Sequence, residues 1–194
     1  MKIMDITQEL FSCQVYPGDM RPAFERVRNV EKDKCNVTNI SMCVHNGTHI
    51  DAPCHFVAGG KAIDELDLSI FFGECTVSQF CGVIGEADIA HILKICRERL
   101  LLKGNCELSE GASQAVANSH IRLIGVESQS VGSSEAPMTN HLILLGAGII
   151  ALEGLRLADV LPGEYTLSAF PLNMSGSDGS PVRAVLTTEK IICP

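Results

Sequence analysis

The chain has no tryptophan, and tyrosine occurs only twice in its 194 residues. Aromatic side chains make up 5% of it, so a binding wall of stacked rings has few residues to draw on. Basic residues number 15 against 23 acidic ones, no basic run occurs, and the formal net charge is −8. A phosphate backbone or an anionic lipid surface asks for the opposite balance, so neither nucleic acid nor membrane is an expected partner. The longest apolar run, residues 142–152, is too short and too rich in glycine to span a bilayer. The opening residues 1–7 lack the apolar core of a secretory signal. The nine cysteines are odd in number and lack the paired spacings of zinc ribbons or small disulfide scaffolds. Reduced, mostly buried thiols in a cytoplasmic protein are the expectation.

Apolar residues make up 46% of the chain and charged residues 20%, the balance of a folded globular protein. With no repeat, low-complexity tract or linker, residues 1–194 read as one domain. Alternation at 3–7 and apolar runs at 37–44, 76–84, 99–102, 121–126, 149–152 and 165–171 read as strands. From Asp88 onward Ile89, Ile92, Leu93, Cys96 and Leu100 recur at helical steps. Residues 109–119 form a second helical stretch, and 24–34 is a charged segment with little periodicity. Residues 127–140 form a polar loop of the site-forming kind. A short helix capped by Thr139 or Asn140 then stops at Gly146–Gly148 before the strand that ends at Glu153.

Chemistry concentrates in one short stretch. His45, His49, Asp51 and His55 fall within eleven residues, although the chain holds only six histidines. Imidazole and carboxylate together suit zinc or a neighbouring divalent ion. A straight strand would spread the four over roughly 33 Å, too far to share one ion. Gly47, Thr48, Ile50 and Pro53 are poor helix formers, which leaves a chain that bends back on itself. Cys54, beside His55, raises a thiol nucleophile as a rival, but neighbours on extended chain point apart.

This segment resembles the His-x-Gly-Thr-His-x-Asp-x-Pro-x-His signature of the metal-dependent cyclase hydrolases, which include bacterial kynurenine formamidases and isatin hydrolases. Three further stretches are similar to that family: Ile63-Asp64-Glu65-Leu66, His141 to Glu153-Gly154-Leu155, and Asp178-Gly179-Ser180-Pro181-Val182-Arg183-Ala184. The resemblance implies an α/β domain with a mixed β core and a few packed helices, swivelling β/β/α-like. It implies two ions, zinc first and manganese second. His45, His49 and Asp51 would hold the first ion and His141 the second, with Asp51 and Glu153 bridging or shared. His55 would transfer protons, or else serve as a further ligand or an orienting group. Tyr16, just before Pro17-Gly18-Asp19, would line the pocket. The implied reaction is hydrolysis of a small amide, formamide or lactam by a homodimer or higher homo-oligomer.

The chain departs from the family pattern after Leu102. Lys103-Gly104-Asn105-Cys106-Glu107 is short and has no aromatic, where relatives carry a longer aromatic-rich loop. The chemistry can survive that change while the preferred substrate shifts. A non-catalytic metal-containing ligand-binding domain on the same scaffold is the alternative.

Overall fold

Runs such as Leu100-Leu101-Leu102 are apolar on every residue because the strands they form are covered on both faces. The computed structural model describes residues 2–133 and 136–188, so parts of the 127–140 loop and the ends of the 1–194 domain reading lie outside the described residues. The strands are β1 (Ile3–Asp5), β2 (Ala23–Arg28), β3 (Val37–Ser41), β4 (His49–Asp51), β5 (Phe72–Gln79), β6 (Gly82–Ile84) and β7 (Arg99–Lys103). They continue as β8 (Cys106–Leu108), β9 (Leu123–Val126), β10 (Ile150–Glu153), β11 (Gly163–Ser168), β12 (Gly179–Pro181) and β13 (Val185–Thr187). The helices are α1 (Val30–Asp33), α2 (Glu86–Leu93), α3 (Glu110–Ala117) and α4 (Thr139–Gly146).

Nine strands form one mixed sheet in the order β1-β13-β11-β5-β7-β9-β10-β4-β12, so the chain is a single α/β domain. β5, β7, β9 and β10 run parallel at its centre, and antiparallel strands extend it on both sides. Side chains alternate between the two faces with the period of two that strands impose. Leu100, Leu102, Ile124, Val126 and Ala151 join the helices' apolar residues on one side. Leu101, Leu123, Ile150 and Leu152 join Ile50, Phe71 and Leu167 on the other.

Three local expectations are corrected. The helix expected from Asp88 to about Leu100 ends at Leu93, because the Ile95 and Cys96 N–H groups both turn back to the Ile92 carbonyl and Thr76 Oγ1 takes the Arg97 N–H. Cys96 and Leu100 are buried by a turn and by β7 instead. The single strand expected at 76–84 splits into β5 and β6, where Phe80 N–H bonds the Lys103 carbonyl and Gly82 takes a φ of 83°. Neither Thr139 nor Asn140 caps α4. Met138 precedes it, and the Asn140 amide donates to the Leu108 and Val131 carbonyls.

Candidate metal centre

The antiparallel register of β4 on β10 sets His49 opposite Glu153 and Asp51 opposite Ala151. The alternation that buries Ile50 in one core therefore turns His49 and Asp51 to the helix-covered face, and the methyl of Ala151 leaves room beside the carboxylate. α4 packs on that face and delivers His141, while the Gly148 turn, at φ 79°, lets the chain reverse into β10. Glu153 is the last residue of its parallel strand, the end at which open α/β sheets place their sites.

A close backbone approach holds the early loop against β10. Gly154, at φ 67°, lies so near the Gly47 carbonyl that a Cβ there would sit 2.2 Å from its oxygen. Thr48 Oγ1 and Gln8 Nε2 both donate to the Gly154 carbonyl, at 2.7 and 2.8 Å.

His49, Asp51, His141 and Glu153 are all buried. His49 Nε2 is 3.3 Å from Asp51 Oδ1 and 3.4 Å from Glu153 Oε2. His141 Nε2 is 3.5 Å from Asp51 Oδ2 and 3.2 Å from Glu153 Oε1. These separations run at or beyond the long end of direct hydrogen bonds. They match the edge of a tetrahedron with ligand bonds of about 2.0–2.1 Å, which is about 3.3 Å. Backbone carbonyls fix the ring orientation, because a carbonyl only accepts. His49 Nδ1–H donates to the Gly47 oxygen at 3.1 Å and His141 Nδ1–H to the Pro137 oxygen at 2.8 Å. Each ring thus presents Nε2 to the carboxylates, the outer support typical of histidine ligands. Glu153 Oε1 accepts the Val131 N–H at 2.7 Å, so the polar loop steers it.

The set fits a divalent ion in donor type, burial and spacing. Ligand atoms of Asp51, His141 and Glu153 lie within 4.8 Å of one another, as do those of His45, His49 and Asp51. Asp51 is common to both groups. His45 differs from the other two rings, since Nδ1 meets Asp51 Oδ1 at 2.9 Å and Nε2 meets Asp178 Oδ2 at 3.0 Å. Electrostatics follow the packing. Burial alone would raise the Asp51 carboxyl, but hydrogen bonds and charge from His45 and His49 outweigh it and hold the group well below the usual carboxylate range. Burial opposes charge on His49, yet Asp51 and Glu153 lift its imidazole well above the ordinary value. His45 and His141 are raised for the same reason against the same penalty.

His55 stacks on His45 with ring centroids 4.0 Å apart, and its Nδ1 meets Asp178 Oδ2 at 3.1 Å. Burial, helped by the neighbouring His45 charge and opposed by Asp51 and Asp178, lowers its imidazole. It lines a cavity of about 270 Å³ together with His45, Tyr16, Phe56, Met138 and Gln129. Tyr16 is 44% exposed at the rim. The reading of residues alone missed two members. Asp178 sits in the recognised Asp-Gly-Ser-Pro phrase, where a lone acidic residue was the available signal. Phe56 follows His55 directly and stacks on His141 at 4.4 Å. Cys54 faces away, packing against the apolar core with its thiol toward the Ser177 carbonyl. Burial pushes that thiol up, with the Asp178 charge adding to the effect.

A buried His/carboxylate frame that fits a cation, with the His55 imidazole on the wall of the same small cavity, is the construction of a metal-dependent hydrolase. Comparisons with known proteins agree. The Cyclase family model matches residues 4–99. The chain is 34% identical to the kynurenine formamidase of Polaromonas naphthalenivorans (strain CJ2), covering 96% of this chain and 91% of that one. It is 32% identical to that of Salinibacter ruber (strain DSM 13855 / M31), covering 96% and 97%. Among solved structures, a predicted metal-dependent hydrolase from Bacillus stearothermophilus superposes with a TM-score of 0.82 at 30% identity, covering 95% and 97%. Isatin hydrolase A from Labrenzia aggregata shares the fold, with a TM-score of 0.83 at 24% identity and coverage of 97% and 94%. The chain belongs to the Cyclase family.

Proposed function

We propose that this chain is a metal-dependent hydrolase that cleaves the C–N bond of a small formamide, amide or lactam, as its kynurenine formamidase relatives do by name. The observation that carries the reading is the 3.2–3.5 Å frame formed by His49, Asp51, His141 and Glu153. We assign two ions to it, zinc first and manganese second, since a His/carboxylate set accepts either. His45, His49 and Asp51 would hold one ion and His141 the other, with Asp51 and Glu153 shared. A cation bound there supplies Lewis acidity, polarising the scissile carbonyl and lowering the pKa of water from about 15.7 toward about 7.

The chain's own groups do the remainder. Asp178 accepts from His55 Nδ1–H, which leaves Nε2 as the basic nitrogen. His55 lines the cavity, so Nε2 can take a proton from the attacking water and hand it to the leaving nitrogen. Tyr16 and Phe56 supply aromatic walls for the acyl substituent, which offsets the missing aromatics after Leu102. Kept cytoplasmic, the eight described cysteines, all free thiols, stay reduced. Among the described residues no helix is long and apolar enough to cross a membrane. A homodimer or higher homo-oligomer completes the proposal.

The test is a panel of formamides, amides and lactams run on the metal-loaded protein and on His55→Ala. The variant is expected to keep its metal and lose about 100-fold or more in kcat. Near-wild-type turnover by His55→Ala would overturn the proton-transfer role. Activity that resists chelators and vanishes on alkylation of Cys54 would favour the thiol mechanism. The non-catalytic ligand-binding alternative is not favoured, because the relatives over nearly the whole chain are named as enzymes.

A further inference from the structure

A second hollow, of about 300 Å³, adjoins the cavity at the metal frame. The two have Tyr16, Gln129, Ser130 and Pro137 in common, so those residues form the divide between them. The rest of the second hollow is mostly polar, with Gln14, Glu107, Ser128 and Ser133 on its walls. Among the described residues neither Lys nor Arg lines either space. Glu107 reaches the hollow because the segment after Leu102 is drawn in tightly. Gly104, at φ 108°, packs so near Phe80 that a Cβ there would sit 2.1 Å from the Phe80 oxygen, and its N–H donates to Glu127 Oε2 at 2.6 Å. The cavity at the metal frame, about 270 Å³, falls just short of the roughly 300–1,000 Å³ usual for a small-molecule site, and the two spaces together fall within it.

The divide is braced to the metal frame. Ser128 Oγ donates to the Ser130 carbonyl at 2.6 Å, and Ser130 Oγ accepts the Gly132 N–H at 3.0 Å. Gly132 lies so close to Pro137 that a Cβ would meet its carbonyl oxygen at 2.2 Å, and that same oxygen accepts from His141 Nδ1–H. Val131 donates to Glu153. One polar atom in this wall is left over: Gln129 Oε1 is buried and has no hydrogen-bond partner among the described residues. A buried acceptor without a donor is destabilising, and such a group in a folded protein calls for an explanation. Gln129 borders both spaces, so a molecule lying across the divide can bring the missing donor, and a half-turn of the amide exchanges its oxygen and nitrogen.

We propose that Gln129 selects the substrate, accepting a hydrogen bond from a hydroxyl- or ammonium-bearing aliphatic substituent on the leaving nitrogen that extends past it into the hollow beside Glu107. The proposal rests on the C–N hydrolase reading above and names its substrate class. Tyr16 and Phe56 take the acyl side, so the nitrogen substituent is the part left to cross the divide. Its destination holds the Glu107 carboxylate, and no Lys or Arg among the described residues lines it. A donor, above all a cationic one, is complementary to such walls, and a carboxylate is not. The short segment after Leu102 thus exchanges an aryl-gripping loop for a polar side pocket.

Hydrolysis of a matched formamide series by the metal-loaded full chain tests it. The reference is N-pentylformamide, and its terminal methyl is replaced by hydroxyl in N-(4-hydroxybutyl)formamide, by ammonium in N-(4-aminobutyl)formamide and by carboxylate in 5-formamidopentanoate. In kcat/KM the hydroxyl compound is expected to exceed the reference about 3–10-fold and the ammonium compound about tenfold or more, with the carboxylate lowest. Gln129→Leu is expected to bring the hydroxyl-to-pentyl ratio to within about twofold of one, and Glu107→Gln to cut the ammonium preference about threefold or more. A ratio between two substrates on one protein does not move when a variant merely loses metal or stability. Gln129→Met serves if Gln129→Leu does not fold. Wild type that turns over the pentyl compound as well as the hydroxyl one would overturn the proposal and leave the hydrolase reading standing, and so would a ratio unchanged in the Gln129 variant. Silence on this series and on the wider panel of amides and lactams would overturn the hydrolase reading and the proposal with it.

Discussion

Replacing Gly154 by alanine adds one methyl at the point where the early loop touches β10. The new Cβ would lie 2.2 Å from the Gly47 oxygen and 2.6 Å from Gln8 Nε2, with the residue held at φ 67°. Overpacking of this kind costs about 1–3 kcal/mol, and the left-handed backbone adds about 1–2 kcal/mol for a residue with a Cβ. The sum, about 2–5 kcal/mol, lowers Tm by roughly 5–15 °C in a chain of this size. The disturbance does not stop at stability. The Gly47 oxygen is the acceptor that orients His49 Nδ1, at 3.1 Å, so moving it swings Nε2 out of the frame. Lost support of a ligand costs about 10–100-fold in metal affinity. Thermal unfolding of the metal-free protein reads the first effect, and competition against a chromophoric chelator reads the second. A variant with wild-type Tm would show that the contact is looser than 2.2 Å implies. A lowered Tm with unchanged affinity would show that this contact does not aim His49.

Two further outcomes follow from the site. Asp178→Asn keeps the shape but removes the charge that faces His55 Nδ1 and His45 Nε2, and is expected to lower kcat about 10–100-fold even at saturating metal, as stopped-assay kinetics across a metal titration will show. In the metal-free protein, the raised imidazoles of His45, His49 and His141 contribute stability that is fully present below the unfolded value of about 6.5 and is lost as pH rises through their folded values. Asp51, held low, has the opposite sign: its contribution is present above the unfolded value of about 3.9 and disappears only as pH falls through the lower folded value. The metal-free Tm should therefore fall on going from mildly acid to alkaline solution. Metal binding must displace the imidazole protons, so calorimetry in buffers of different ionisation enthalpy should show proton release at neutral pH, and none would contradict the electrostatic account.

The residues differ in how visible they were before folding. His45 to His55 stand out because rare side chains crowd a span in which neither helix nor straight strand can use them together. Glu153 ends an apolar strand, a common place for an acidic residue, and only the neighbouring phrase with His141 marked it. Asp178 was obscure because its partners His45 and His55 lie 133 and 123 residues away, and local pattern carries no record of such a contact. Of the β2–β3 pair, β3 was legible within the strand read at 37–44, whereas β2 lay hidden in the charged 24–34 stretch, because it buries no face on its own chain and offers no alternation to read. The end of α2 was misjudged because Cys96 and Leu100 are buried at helical spacing by a turn and a strand.

The claim beneath all of this is that side chains from β4, α4 and β10 surround bound cations. Anomalous diffraction from crystals of the zinc-loaded protein measures it most directly. Peaks are expected between Asp51, His141 and Glu153 and beside His45 and His49, both absent from Asp51→Asn crystals. Zinc peaks remote from Asp51, or peaks that persist undiminished in Asp51→Asn, would contradict it.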